Sequence, residues 1–167
     1  MKIFIIRLFR AAKLDANFYE EVIVDSDYLI QSVSVIILSS LASGIGNITS
    51  RGISGFIFGT VIALVSWLLY AYVTFFISNQ LLHSKETRVD FGELLRITGF
   101  ASTPGLIRIF GIFPHLISIV FIISGIWMLI TMIIVIKQAY DLELLQSAGA
   151  CLAGWIIQFI ILVVFYL

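Results

Sequence analysis

Apolar and polar positions along this chain do not alternate with the period of a soluble helix or strand; they segregate into long apolar runs parted by short polar ones. The first run opens at Tyr28, carries no formal charge until Arg51 and loses its apolar character around Gly44 to Asn47. A turn rich in Gly, Asn, Ser and Thr comes next, and a second run extends from about Gly55 to Leu82. That run exceeds the ~20 residues a bilayer crossing needs, so it is expected to tilt or protrude. Residues 97–136 are apolar almost throughout, enough for about two crossings, and are interrupted by Arg108 and by Gly111 with Pro114. After a polar segment from Lys137 to Ser147, a last apolar run begins at Ala148 and reaches Leu167. The pattern predicts an all-α integral membrane protein with five transmembrane helices, approximately 28–46, 55–82, 94–112, 114–136 and 148–167.

Residues 1–27 form a different unit, a cytoplasmic amphipathic and acidic segment ahead of the transmembrane domain at 28–167. On a helical projection Lys2, Arg7, Arg10 and Lys13 share one arc, opposite Phe4, Ile5, Leu8, Phe9 and Ala12. This is the pattern of an interfacial amphipathic helix. Ile3, Ile6 and Leu14 interrupt the basic arc, so a helix packed on the rest of the protein is the other reading. Asp15, Glu20, Glu21, Asp25 and Asp27 then lead to the first span. With the N-terminus inside, Lys2, Arg7, Arg10, Lys13, Lys85, Arg88, Arg96 and Lys137 are cytoplasmic, against Arg51 and Arg108 outside. The bias in Lys and Arg gives a cytoplasmic N-terminus and an outside C-terminus.

Composition removes the soluble alternative. Of 167 residues 60% are hydrophobic and 12% charged, with a mean hydropathy of +1.11, whereas globular chains carry about 25% charged residues. A formal net charge of zero gives no electrostatic footprint for a nucleic-acid partner. A single cysteine, Cys151, rules out an internal disulfide framework. No cofactor motif stands out: His83 and His115 fall on opposite sides of the membrane by this topology and cannot share a metal.

Candidate functional residues are therefore few. Glu93 and Arg96 stand one helical turn apart at the cytoplasmic start of the third span, spaced to pair with each other or to contact a partner or lipid headgroup. Arg108 is expected to anchor at the outer interface. Within GFASTPG, Pro104 lacks an N–H and clashes with the carbonyl of Phe100, so a kink is predicted, with Ser102 or Thr103 able to satisfy freed carbonyls. Gly99 and Gly105 beside it allow close helix approach. The kink is either a packing feature or the centre of a transport site. Gly55 and Gly59 make a GxxxG pattern suited to helix contact, within the chain or with another subunit.

Two stretches carry a family resemblance: FGELLRITGFASTPGLI, and WMLITMIIVIKQAYDLELLQSAGACLAG with its basic exit and short loop before the last span. With the span pattern they resemble the Yip family, the Ypt/Rab-interacting proteins and their prokaryotic relatives, from Tyr28 onward. In eukaryotes such proteins sit in Golgi and ER membranes and bind prenylated Rab-type GTPases and each other. This chain has no long cytoplasmic N-terminal region with an Asp-Leu-Tyr-Gly-Pro type motif, so Rab-type GTPase binding does not carry over. The compact form resembles a prokaryotic member, implying an integral plasma (inner) membrane protein. Two functions are expected: a non-catalytic scaffold or accessory subunit acting with membrane lipid, other membrane proteins or a second copy, or a small-molecule transporter or channel organised around Pro104.

Overall fold

The computed structural model describes residues 2–79 and 89–166, with side chains described as far as Ile160. Its elements are α1 (Lys2–Ala12), α2 (Ala16–Val24), α3 (Tyr28–Ile77), α4 (Phe91–Ala101), a 3-10 helix (Thr103–Ile112), α5 (Ile117–Tyr140) and α6 (Leu144–Tyr166), with no strand among the described residues. His83, Lys85, Glu86, Arg88 and the expected end of the second span at Leu82 lie outside the described residues.

Burial is inverted relative to a soluble bundle. Ser32, Ser39, Ser40, Ser43, Thr98, Ser124 and Thr131 are buried, while Ile119, Ile122, Ile126 and Ile130 form an exposed stripe along α5. Such a surface needs a solvent without hydrogen bonds to lose, which is lipid. Four of these hydroxyls bond carbonyls of their own helices: Ser32, Ser124, Thr98 Oγ1 to Leu94 O at 2.7 Å and Thr131 Oγ1 to Trp127 O at 2.8 Å. Small polar residues thus sit at the contacts and branched apolar ones face outward, as lipid-embedded packing requires. Among the described residues α3 and α5 are long and apolar enough to cross a membrane.

The segment α3 is two helical arms that meet at Gly52, whose φ of 62° and ψ of −148° lie where only glycine is comfortable. Its two arms, 28–51 and 53–77, are each longer than one crossing needs. They lie antiparallel in close contact: a methyl on Gly44 would stand 2.6 Å from Phe56 O, and one on Gly55 would stand 2.5 Å from Asn47 O. The expected turn at 44–54 is correspondingly narrower. Both arms keep helical hydrogen bonding until the single residue that reverses the chain.

The span expected at 94–112 is composite. Asp90 and Glu93 form a capping box that starts α4. After Ser102 the chain tightens into the 3-10 helix, with Pro104 in its first turn. The Phe100 carbonyl that Pro104 cannot serve is taken by Thr103 Oγ1 at 2.6 Å, while Ser102 Oγ bonds Thr98 O at 3.0 Å. At rises of about 1.5 and 2.0 Å per residue, α4 and the 3-10 helix together reach about 36 Å, enough for a hydrocarbon core. They run parallel to the first arm of α3, with Gly99 against Ser32, Gly105 against Ser39 and Gly111 against Gly46.

Helix α5 starts at Ile117 rather than 114 and continues past 136 to Tyr140, where Asp141 adopts a left-handed C-cap. Lys137 in its last turn complements the helix dipole. Gln138 Nε2 bonds Ala16 O at 2.9 Å and Glu20 Oε1 at 3.0 Å. Helix α6 begins at Leu144, ahead of the expected 148, and packs Gly154 onto Thr74 and Tyr70 of α3.

The N-terminal segment holds two helices where the sequence pattern indicated one. Leu14, at φ 62°, closes the turn between them, and Asp15 caps α2 by accepting from Phe18 N at 3.2 Å. Lys2 is exposed, but Arg7 and Arg10 do not form α1's outer face. Arg7 lies over the Tyr28 ring at 4.2 Å and donates to Gln31 Oε1 at 2.7 Å, and Arg10 pairs with Asp15 at 2.7 Å and Glu21 at 3.0 Å. Phe4, Leu8 and Ala11 pack inward, while Ile3, Ile5, Ile6 and Phe9 are exposed. Asp15, Glu21 and the Phe18 ring hold Arg10 against α2, while Tyr28 and Gln31 at the start of α3 hold Arg7. Phe18, Tyr19 and Val22 then dock α2 in the core, Phe18 edge-on to Phe100.

Candidate functional site

A cavity of about 450 Å³ lies between the α3 arms, α5 and α6. The reversal at Gly52 brings Ser43, Asn47 and Arg51 of the first arm beside Gly55, Gly59 and Ile62 of the second. Arg108 enters from the 3-10 helix, Phe121, Gly125 and Met132 from α5, and Trp155 and Gln158 from α6. Gly55 and Gly59 let the two arms close up, and Gly125 leaves room on the side of α5. A Cβ on Gly125 would meet nothing within 4 Å, so the α5 wall is recessed there.

The cavity is polarised along its length. Arg51, Arg108, Asn47 and Ser43 gather near the Gly52 reversal, while Trp67, Leu129 and Met132 line the far end together with the uncharged Ser66 and Tyr70. Arg108 Nε donates to Ser124 Oγ at 2.9 Å, and its guanidinium lies 5.4 Å from the Phe121 ring centroid. Among the described residues no carboxylate lines the cavity. Rather than reaching outward as an anchor, Arg108 turns into this space. The sequence offered no motif for it, because its wall is assembled from segments more than a hundred residues apart. The polar residues interrupting the ends of apolar runs were the available signal.

Arg96 has another role. It is 8% exposed, and its Nε donates to Val22 O at 3.0 Å while Nη2 donates to Ile23 O. The guanidinium therefore closes the C-terminal end of α2, where unpaired carbonyls and the helix dipole favour a cation. Glu93 is held by the Asp90 N–H at 3.0 Å. The two residues expected to pair thus serve different helix ends.

The remaining candidates lie in helix contacts within the chain. Gly55 and Gly59 meet Asn47, Gly44 and Ser43 across the α3 hairpin, and Gly99 and Gly105 meet Ser32 and Ser39. Pro104 is buried and does not line the cavity. His115 is exposed, and no group of three or more His, Cys, Asp or Glu suited to a metal occurs among the described residues.

At the N-terminal end, hydrogen bonds from Arg10 hold the Glu21 and Asp15 carboxyls below the usual carboxylate range. Tyr28 Oη donates to Glu21 Oε2 at 3.2 Å, so α1, α2 and α3 meet in one polar cluster.

These features define a helical membrane protein with a packed interior and a polarised cavity. The Yip1 domain model matches residues 13–166, nearly the whole chain, and the chain belongs to that family. The match includes α2, which the sequence resemblance from Tyr28 onward had left out, and leaves α1 aside. No curated protein and no solved structure matches. The family is membrane-associated and not known for enzymatic activity.

Proposed function

We propose that this protein is a non-catalytic scaffold or accessory subunit with five spans, a cytoplasmic N-terminus and an outside C-terminus, in the plasma (inner) membrane of a prokaryote. The observation supporting this reading is the outer face of α1. Arg7 and Arg10 fix the helix to the bundle, yet Ile3, Ile6 and Phe9 remain 57–66% exposed. A rigidly held apolar ridge beside a membrane bundle suits another membrane protein, because its shape is already ordered and binding does not have to arrange it. A photo-reactive residue at Phe9 should give one discrete protein adduct in native membranes, against lipid adducts alone from the same residue at Ile126 on the lipid-facing stripe. Lipid adducts alone at both positions would overturn the reading.

The alternative, transport organised around Pro104, has less support from the geometry, since the open volume lies beside Arg108 and not at Pro104. Solute flux in proteoliposomes that Pro104→Ala alters, with Gly125→Leu leaving it intact, would reverse that preference.

A further inference from the structure

We propose that the cavity between α3, α5 and α6 binds one anionic phospholipid, its phosphate on Arg108 and Arg51 and an acyl chain along the apolar end. This goes beyond the scaffold reading and does not rest on it. The head of the site is argued from Arg108. Its Nε is engaged by Ser124 Oγ, its face rests on Phe121, and its Nη groups have no hydrogen-bond partner among the described residues. A cation at the edge of hydrocarbon without a counter-ion is costly, and a guanidinium fork is matched in geometry by phosphate oxygens.

The tail of the site is argued from the opposite wall. Ile62, Ala63, Trp67, Leu129 and Met132 offer no charged group, so a free inorganic anion would leave most of the volume without a matching surface. The volume, about 450 Å³, falls among small-ligand sites of roughly 300–1,000 Å³. Entry from the bilayer is open at Phe58 and Trp155, which line the cavity and are 60% and 54% exposed. A lipid could therefore enter sideways, with its headgroup at the Gly52 end.

The full chain in detergent, titrated under native mass spectrometry with phosphatidylglycerol, phosphatidylcholine and inorganic phosphate, tests this. One phosphatidylglycerol should be retained about tenfold more tightly than phosphatidylcholine, whose phosphate is equally charged but brings a quaternary ammonium against two arginines with no carboxylate among the described residues to receive it, and Arg108→Gln should weaken that repulsion and shrink the difference. Gly125→Leu should reduce retention of both lipids by filling the recess, while preserving or raising thermal stability, because leucine is the better helix former and meets no neighbour at Cβ. The second variant keeps the test decisive if Arg108→Gln fails to fold. Equal retention of the two lipids by the unaltered protein, or unchanged adducts in Gly125→Leu, would overturn the proposal. Inorganic phosphate binding as tightly as the lipid would replace it with a free-anion site.

Discussion

Gly52 separates backbone conformation from packing. Its φ of 62° with ψ of −148° disfavours any side chain, yet a Cβ there would touch nothing within 4 Å. Gly52→Ala should therefore destabilise the protein by about 1–3 kcal/mol through backbone strain alone. Thermal unfolding in detergent measures it, and an unchanged midpoint would contradict the strain argument. Arg96 presents the opposite case, a side chain whose value lies in its partners. Arg96→Gln should loosen α2 by ~2–3 kcal/mol, because one buried and one part-buried carbonyl lose a charged donor. Faster amide exchange confined to α2 and its flanks is the expected signature. Acid should act on the same region: Glu21 and Asp15 have lowered folded-state values, so their contribution is present above the ordinary carboxylate range and is lost as pH falls through the folded values. Both are solvent-accessible, so the effect should be small, seen as N-terminal proteolysis rising at acid pH and muted in Arg10→Gln.

Among the elements, the 3-10 helix gives a counterintuitive expectation. Removing proline from a helix usually stabilises it. Here the longer 3-10 rise sets where Gly105 meets Ser39 and Gly111 meets Gly46. Reverting that segment to α-helix would shorten it by about 5 Å. Pro104→Ala should therefore lower the unfolding temperature, and a rise would show that the contacts tolerate the shift. How much was legible in the sequence divides along similar lines. The α3 arms, α5 and α6 were legible because each is a run of apolar residues that lipid alone can solvate. The 3-10 helix was not, since Pro104 marks where an α-helix must change without specifying the tighter helix that replaces it. Helix α2 was missed because its acidic residues masked an Asp15 cap and inward-facing Phe18, Tyr19 and Val22. The cavity had no local signature at all, for Asn47, Arg108 and Gln158 come to line one space only after five helical segments have packed.

For the whole molecule, the proposed topology is testable through Cys151, the sole cysteine and a buried one. On a Cys151→Ser background, a cysteine at Ser50, beside the α3 reversal, should react with an impermeant maleimide in intact cells. One at Asp141, between α5 and α6, should react only after lysis. The converse pattern would invert the orientation drawn from the Lys and Arg bias. The same arrangement separates two regions of polar chemistry: the Arg108 cavity lies toward the Gly52 end, and the N-terminal cluster lies where Tyr28 begins α3. Variation in one should leave the other intact.

The bond from Arg96 to Val22 spans 74 positions of sequence. During synthesis, at about 5–20 residues per second, the carbonyl end of α2 must wait roughly 4–15 s for its cation to be made. The N-terminal helices therefore cannot take their final place while the first hairpin enters the bilayer. They are docked late, by a residue of α4, and until then the apolar surface of α1 and α2 is open to whatever assists insertion.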